Sequence, residues 1–199
     1  MIMKEFLPIV KYFERHVRLS EKEKEILISS FKVVKVKKRQ LIIQPNFITN
    51  HRSYVVKGAF RAYVVNDEGH DTTIQFAIED WWISDYGSFI LQQPATMFVV
   101  GLEDSVILQI DYETEQKIKQ TSHNFETFYR ILGERAAAFM QRRIITNLTQ
   151  LAEQRYISFI ETYPNIVKRV PQYALASYLG ITTQFLSKIR NQRVKKKKS

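Results

Sequence analysis

Cysteine is absent from the 199 residues, which excludes a disulfide scaffold, a thiolate metal site and a cysteine nucleophile, and fits a reducing compartment. Glycine is scarce at six residues, and no glycine-rich loop is available to cradle phosphate. No run reaches the roughly 18–20 apolar residues that a membrane-spanning helix needs. The start, Met1-Ile-Met-Lys-Glu-Phe-Leu-Pro8, lacks the apolar core and small-residue cleavage site of a secretory leader. A cytoplasmic location is the expectation. His16, His51, His70 and His123 show no metal-ligand spacing. The pairs Glu79-Asp80 and Glu103-Asp104 fall in turns, where solvated corners are commoner than acid–base dyads. Nothing in the sequence assembles an enzyme's chemistry.

What is present is positive charge. Thirty Lys plus Arg oppose 20 Asp plus Glu for a net +10, and 45% of residues are hydrophobic, enough for a sizeable core in one large domain or two small ones. The charge is uneven. Residues 1–150 hold 20 basic and 18 acidic side chains and residues 151–199 hold 10 and 2, leaving +8 of the +10 in the last quarter. A compact basic segment on a near-neutral body favours a polyanion, because clustered Lys and Arg displace counterions condensed on phosphate. Four of those charges are the run Lys195 to Lys198, a pattern commoner in solvated tails than in specific contacts.

The first ~30 residues read as helical, with Ser20 as N-cap and Glu23 as its capping-box partner. From Lys32 to Ile110 the texture becomes short runs of Val, Ile, Tyr, Phe and Thr between turns. Strands are expected near 32–37, 40–44, 52–57, 60–66, 70–78, 96–102 and 105–110. Lys57-Gly58 and Asn66-Asp-Glu-Gly69 mark hairpin turns. So many short strands argue for a sandwich or jelly roll. Phe125, Phe128, Leu132, Ala136 and Phe139 then trace one stripe of a long helix over about 122–147. At roughly 35–40 Å this helix exceeds what its own sheet needs, and its stripe is expected to meet a second copy, with packing on the parent β-domain as the alternative.

The strongest local signal runs from Val170 to Arg190 and reads as helix, tight turn, helix. Pro171 suits a first helical turn, Leu175 and Leu179 share a face, and Ala176 is small where a second helix must cross. Gly180 ends the first helix in a left-handed conformation, Ile181 plugs the corner, Thr182 caps the next helix, and Leu186 and Ile189 point inward. In a helix-turn-helix the second helix enters the major groove. Thr183, Gln184, Ser187 and Lys188 would then face bases, Thr182 would hold a phosphate beside free amides, and Arg190, Lys168 and Arg169 would contact phosphates.

This order of parts resembles the Crp–Fnr family, most specifically over Val170–Arg190 and more weakly over Trp82-Ile-Ser-Asp-Tyr-Gly-Ser-Phe-Ile-Leu-Gln-Gln-Pro94 and Gly101-Leu-Glu-Asp-Ser105. The resemblance implies an α+β protein. Its parts would be an N-terminal jelly-roll (double-stranded β-helix) sensor domain over 1–121, a long dimerisation helix over 122–150, and a helix-turn-helix DNA-binding domain over 151–199. It further implies a homodimeric transcription regulator that reads a palindrome. Double-stranded DNA and a second copy are its partners, RNA polymerase stays open as another, and no membrane is involved. Family members that bind cyclic nucleotide hold the ribose with a Gly-Glu pair and the phosphate with an Arg followed by Ser or Thr. Here Ala95 stands at the Arg position, Thr96 keeps the hydroxyl, and Asp85, next to Tyr86, falls near the acidic position. Without a cation a buried cyclic phosphate lacks its charge partner, so tight binding of cyclic AMP is not expected, and no other effector or cofactor is assigned. Iron–sulfur sensing lacks its usual cysteine ligands, and four scattered histidines assign no haem. Phe76, Trp81, Trp82, Tyr86, Phe89 and Phe98 are ordinarily core, the alternative being the lining of an apolar ligand cavity.

The family's β-hairpin wing normally follows the recognition helix. Only nine residues follow Arg190, so a truncated or absent wing is expected, with the lysine run supplying nonspecific phosphate contacts. Two other classes stay in view. A cupin-type jelly-roll enzyme would need a His/Glu metal cluster. A nonspecific polyanion or protein-docking module with a β-roll ligand-binding domain would show no sequence discrimination.

Overall fold

The computed structural model describes residues 4–196, with side chains through Gln192; the side chains of the run Lys195 to Lys198 lie outside the described residues. A 3-10 turn, Lys4–Phe6, leads into α1 (Leu7–Glu14) and α2 (Glu21–Ser29). Ser20 caps α2 as expected. Its Oγ accepts from the Glu23 backbone N–H, and Glu23 in turn accepts from the Ser20 N–H at 2.8 Å. A hydrogen bond from Ser122, followed by those from Ser20, holds the Glu23 carboxyl down at about 2. One carboxylate thus serves the starts of two helices, because Ser122 is also the N-cap of the long helix.

Eight strands follow: β1 (Lys32–Val36), β2 (Leu41–Ile43), β3 (His51–Lys57), β4 (Phe60–Val65), β5 (Asp71–Ala77), β6 (Trp82–Ile83), β7 (Phe98–Gly101) and β8 (Ser105–Asp111), with α3 (Tyr86–Leu91) between β6 and β7. They form two antiparallel four-stranded sheets in the orders β1-β8-β3-β6 and β2-β7-β4-β5. All seven expected strands are present, each within a few residues; β6 and α3 are additional. Between the sheets lies a core of Val36, Val55, Phe60, Val99 and Ile107. The Lys57-Gly58 and Asn66–Gly69 turns hold, with Gly58 at φ +118° and Gly69 at +81°.

The chain then turns entirely helical: α4 (Tyr112–Thr121), α5 (His123–Thr149), α6 (Ala152–Thr162), α7 (Pro164–Val167), α8 (Gln172–Leu179) and α9 (Thr183–Lys196). α5 confirms the long helix, but the destination of its expected stripe needs correcting. Phe125 and Phe128 are fully buried within their own chain. Phe13 stacks on Phe128 at 3.4 Å between centroids, and Leu132 packs on the same cluster with α1, Tyr54 and Trp82. Such aromatic pairs contribute about 0.5–1.5 kcal/mol beyond the area they bury. The two N-terminal helices supply the apolar surface that a second copy was expected to supply. Further along α5, Met140, Ile144, Ile145 and Leu148 are exposed, as is Leu151 just beyond.

Candidate nucleic-acid interface

α8 and α9 are built as the residue pattern requires. Gly180 closes α8 at φ +66°, where a glycine avoids the Cβ penalty. Thr182 Oγ1 accepts from the Phe185 N–H and caps α9. Ala174, Leu175, Ala176 and Leu179 of α8 join Leu186 and Ile189 of α9 in one core, with Tyr156, Phe159 and Ile166 from the preceding helices and Ile181 at the corner. Pro171 differs by one position. It is the N-cap and Gln172 begins α8, which suits a residue whose missing N–H would go unpaired there anyway.

The opposite face is open. Thr182, Thr183, Gln184, Lys188 and Arg190 are exposed. Ser187 is half-buried and donates to the Thr183 carbonyl, so its hydroxyl is partly committed to its own helix. Thr183 donates to Gln184 Oε1 at 3.2 Å. Beyond Arg190 the chain continues as α9, and no strand follows it among the described residues. Phe185, on the first turn of α9, and Tyr173, on α8, are exposed as well.

The two expected flanking phosphate contacts diverge. Lys168 is exposed. Arg169 donates to Glu79 at 2.6 and 3.0 Å and to Glu103, joining the helical unit to two corners of the β-roll. Burial pushes the Glu79 carboxyl up, but hydrogen bonds from Arg169 and from the Gly58 N–H more than offset this and hold it below the usual range. These corners are therefore pinned rather than free: Asp80 also accepts from Tyr54 and Arg15, each at 2.6 Å. Alongside, α8 docks on β5, the edge strand of its sheet. Ser177 Oγ accepts from the Thr73 N–H at 2.8 Å and donates to the Asp71 carbonyl, and Thr73 Oγ1 donates to the Ala174 carbonyl. Arg143 of α5 donates to the Thr73 and Ile74 carbonyls. The unpaired edge of β5 is thereby covered by polar partners. No sequence signal announced Arg143 or Ser177 in these roles, since each partner stands 69 to 106 residues away.

In the β-roll, Asp85 is buried and caps α3 by accepting from Ser88 N–H at 3.0 Å; its other oxygen accepts from the Thr96 N–H at 2.8 Å. Asp85 and Thr96 thus satisfy each other. Ala95 is buried, bonded through its backbone to Asn46 and Phe47. Tyr86 is about half exposed, with the Arg52 guanidinium 5.3 Å from its ring centroid. The six aromatics do not line one common cavity: Phe76 and Trp81 share a cluster with the helical unit, and the others lie in separate ones. Trp82 packs with Phe31 and Tyr54, Phe76 with Phe159 and Tyr178, Phe98 on Tyr63, and Phe89 against Tyr112. Among the described residues no cluster of three or more His, Asp or Glu is placed to hold a metal ion.

No family model matches the sequence, and no curated protein matches it. Solved structures do. FixK2 from Bradyrhizobium japonicum is similar with a TM-score of 0.74 at 13% identity, over 83% of this chain and 85% of that one. A CooA mutant from Carboxydothermus hydrogenoformans gives 0.68 at 19% identity, over 98% and 86%. A Crp/Fnr-family transcriptional regulator from Eubacterium rectale gives 0.66 at 18% identity, over 89% and 85%. At such identities backbone architecture is what is shared, and over at least 83% of its length this chain has the Crp–Fnr fold to which its sequence pointed.

Proposed function

We propose that the chain is a homodimeric transcription regulator of the Crp–Fnr type that lays the N-terminal half of α9 in the major groove of each half of a palindromic site. The observation that supports this most is the exposed row Thr182, Thr183, Gln184 and Lys188, held rigidly by a buried core beneath it. Gln pairs with adenine, Lys donates to guanine, and the capped start of α9 suits a phosphate. Arg190 and Lys168 lie at the margins as phosphate contacts. Arg169 reaches phosphate only when it leaves Glu79 and Glu103.

In this reading residues 1–121 are the sensor, 122–150 the dimerisation helix and 151–199 the DNA-binding domain. The dimer contact is the exposed apolar row Met140, Ile144, Ile145, Leu148 and Leu151, rather than the buried Phe125 and Phe128. An effector would act by contacting one arrangement of the helical unit better than another. Cyclic AMP does not fit that role, because no arginine stands at position 95 and Asp85 already holds Thr96. RNA polymerase is a further partner of this reading, and catalysis has no place in it. No described helix is long and apolar enough to cross a membrane.

Gln184→Ala and Lys188→Ala should each weaken binding to the preferred duplex by about 1–3 kcal/mol and relax the preference at one base position. Competition titrations against single-base variants of the site measure both effects. Unchanged affinity and unchanged preference in both variants would leave only the nonspecific polyanion module.

A further inference from the structure

A cavity of about 410 Å³ lies where α5, α6 and the end of α8 meet, within the size range of small-molecule sites. Among the described residues its wall carries Arg135, Arg142, Arg143 and Arg155 and no carboxylate. Arg155 is committed, donating to the Leu179 carbonyl at 2.9 and 3.1 Å and to the Gln150 carbonyl at 2.6 Å. Arg143 is not fully compensated. It donates to two backbone carbonyls and lies 4.2 Å from the Tyr178 ring centroid, yet its Nε is buried without a hydrogen-bond partner among the described residues. Burial pulls its pKa down. A cation whose neighbours are carbonyls and a ring, with no full negative charge, is the situation in which an anion gains most. The rest of the wall is made of Phe139, Phe159, Tyr163 and Tyr178 together with the polar Thr146, Asn147, Ser158 and Thr162, and Phe139 and Tyr163 pack edge-on to Trp81 behind it.

We propose that this cavity binds a small organic anion with a flat aromatic body, its acidic head toward Arg142 and Arg143 and its body against Phe139, Tyr163 and Tyr178. The site is separate from Asp85 and Ala95 in the β-roll. Arg135, Phe139, Arg142 and Thr146 share one face of α5; of the proposed dimer row, Met140, Ile144 and Leu148 lie on the opposite face, and Ile145 lies beside the cavity rim next to Ala138. Tyr178 and Leu179 precede the Gly180 turn into α9, so an occupant touches the support of the proposed reading helix; that consequence rests on the DNA-binding reading, while the binding itself does not.

The test is calorimetric titration of the full chain, without DNA, using 2-naphthoate, its neutral counterpart 2-naphthamide, and inorganic phosphate. Naphthoate should bind saturably, one per chain, with Kd below about 1 mM, and the other two should bind at least tenfold more weakly. Arg142→Gln and Arg143→Gln should each weaken naphthoate at least tenfold. Ala138→Trp, an exposed substitution on the cavity wall, should abolish binding in a chain that still folds. Absence of saturable binding, phosphate binding as tightly as naphthoate, or full-strength binding after Ala138→Trp and Arg142→Gln would each overturn the proposal. A negative result here leaves the DNA titrations unaffected.

Discussion

Glu115→Ala is expected to destabilise the protein by about 3–5 kcal/mol, read as a fall in the urea midpoint. Glu115 is fully buried on α4. Its carboxylate stands 3.1 Å from Arg52 Nε and 2.7 Å from Lys119 Nζ, contacts that are ionic rather than aligned hydrogen bonds. Arg52 is itself only 4% exposed and lies over Phe89 at 4.7 Å, with the rings of Tyr86 and Tyr129 nearby. Removing the carboxylate leaves that guanidinium with rings as its main company, and a buried charge without its opposite is far costlier than the pair was favourable. The double change Arg52→Met with Glu115→Leu should recover much of the loss, since it removes both charges and keeps apolar volume. A Glu115→Ala loss below about 1 kcal/mol would show that Arg52 reaches water.

Gly58→Ala is expected to cost about 2–6 kcal/mol, the sum of left-handed strain and overpacking at about 1–3 kcal/mol each. At φ +118° an L side chain is strained in any surroundings, and its Cβ would meet the Ser105 side chain and come within 2.8 Å of the Ser105 Cα in β8. A flexible tip could move aside; a strand backbone in the middle of a sheet cannot. Gly69→Ala is the internal comparison. It has φ +81° but nothing within 4 Å of the added carbon, so strain alone, about 1–2 kcal/mol, should appear. Equal thermal shifts for the two variants would contradict the close approach at Ser105.

The contrast between local and distant determinants runs through the whole molecule. The Ser20–Glu23 box, the Gly58 and Gly69 turns, and the Gly180–Thr182 corner were legible because each signal and its partner lie within a few residues. The strands were legible from β-branched and aromatic runs. β6, two residues long, and α3, six, are too short to show a period, and α4 is polar enough that Glu115 looks like any solvated glutamate. Periodicity revealed that α5 has an apolar stripe but not what covers it; Phe13, over a hundred residues earlier, does. Likewise Thr183, Gln184 and Lys188 of α9 are exposed while Ser187 is half-buried, and Arg169 looked free because Glu79 and Glu103 approach it only through the fold.

The central claim is that two copies of α9 read bases from symmetric positions, and selection of duplexes from a random-sequence pool by the full chain tests it most directly. The account predicts enrichment of a palindrome whose half-sites are centred about 10 base pairs apart, one turn of the double helix. Retention of all sequences alike, or enrichment of a single asymmetric half-site, would contradict it.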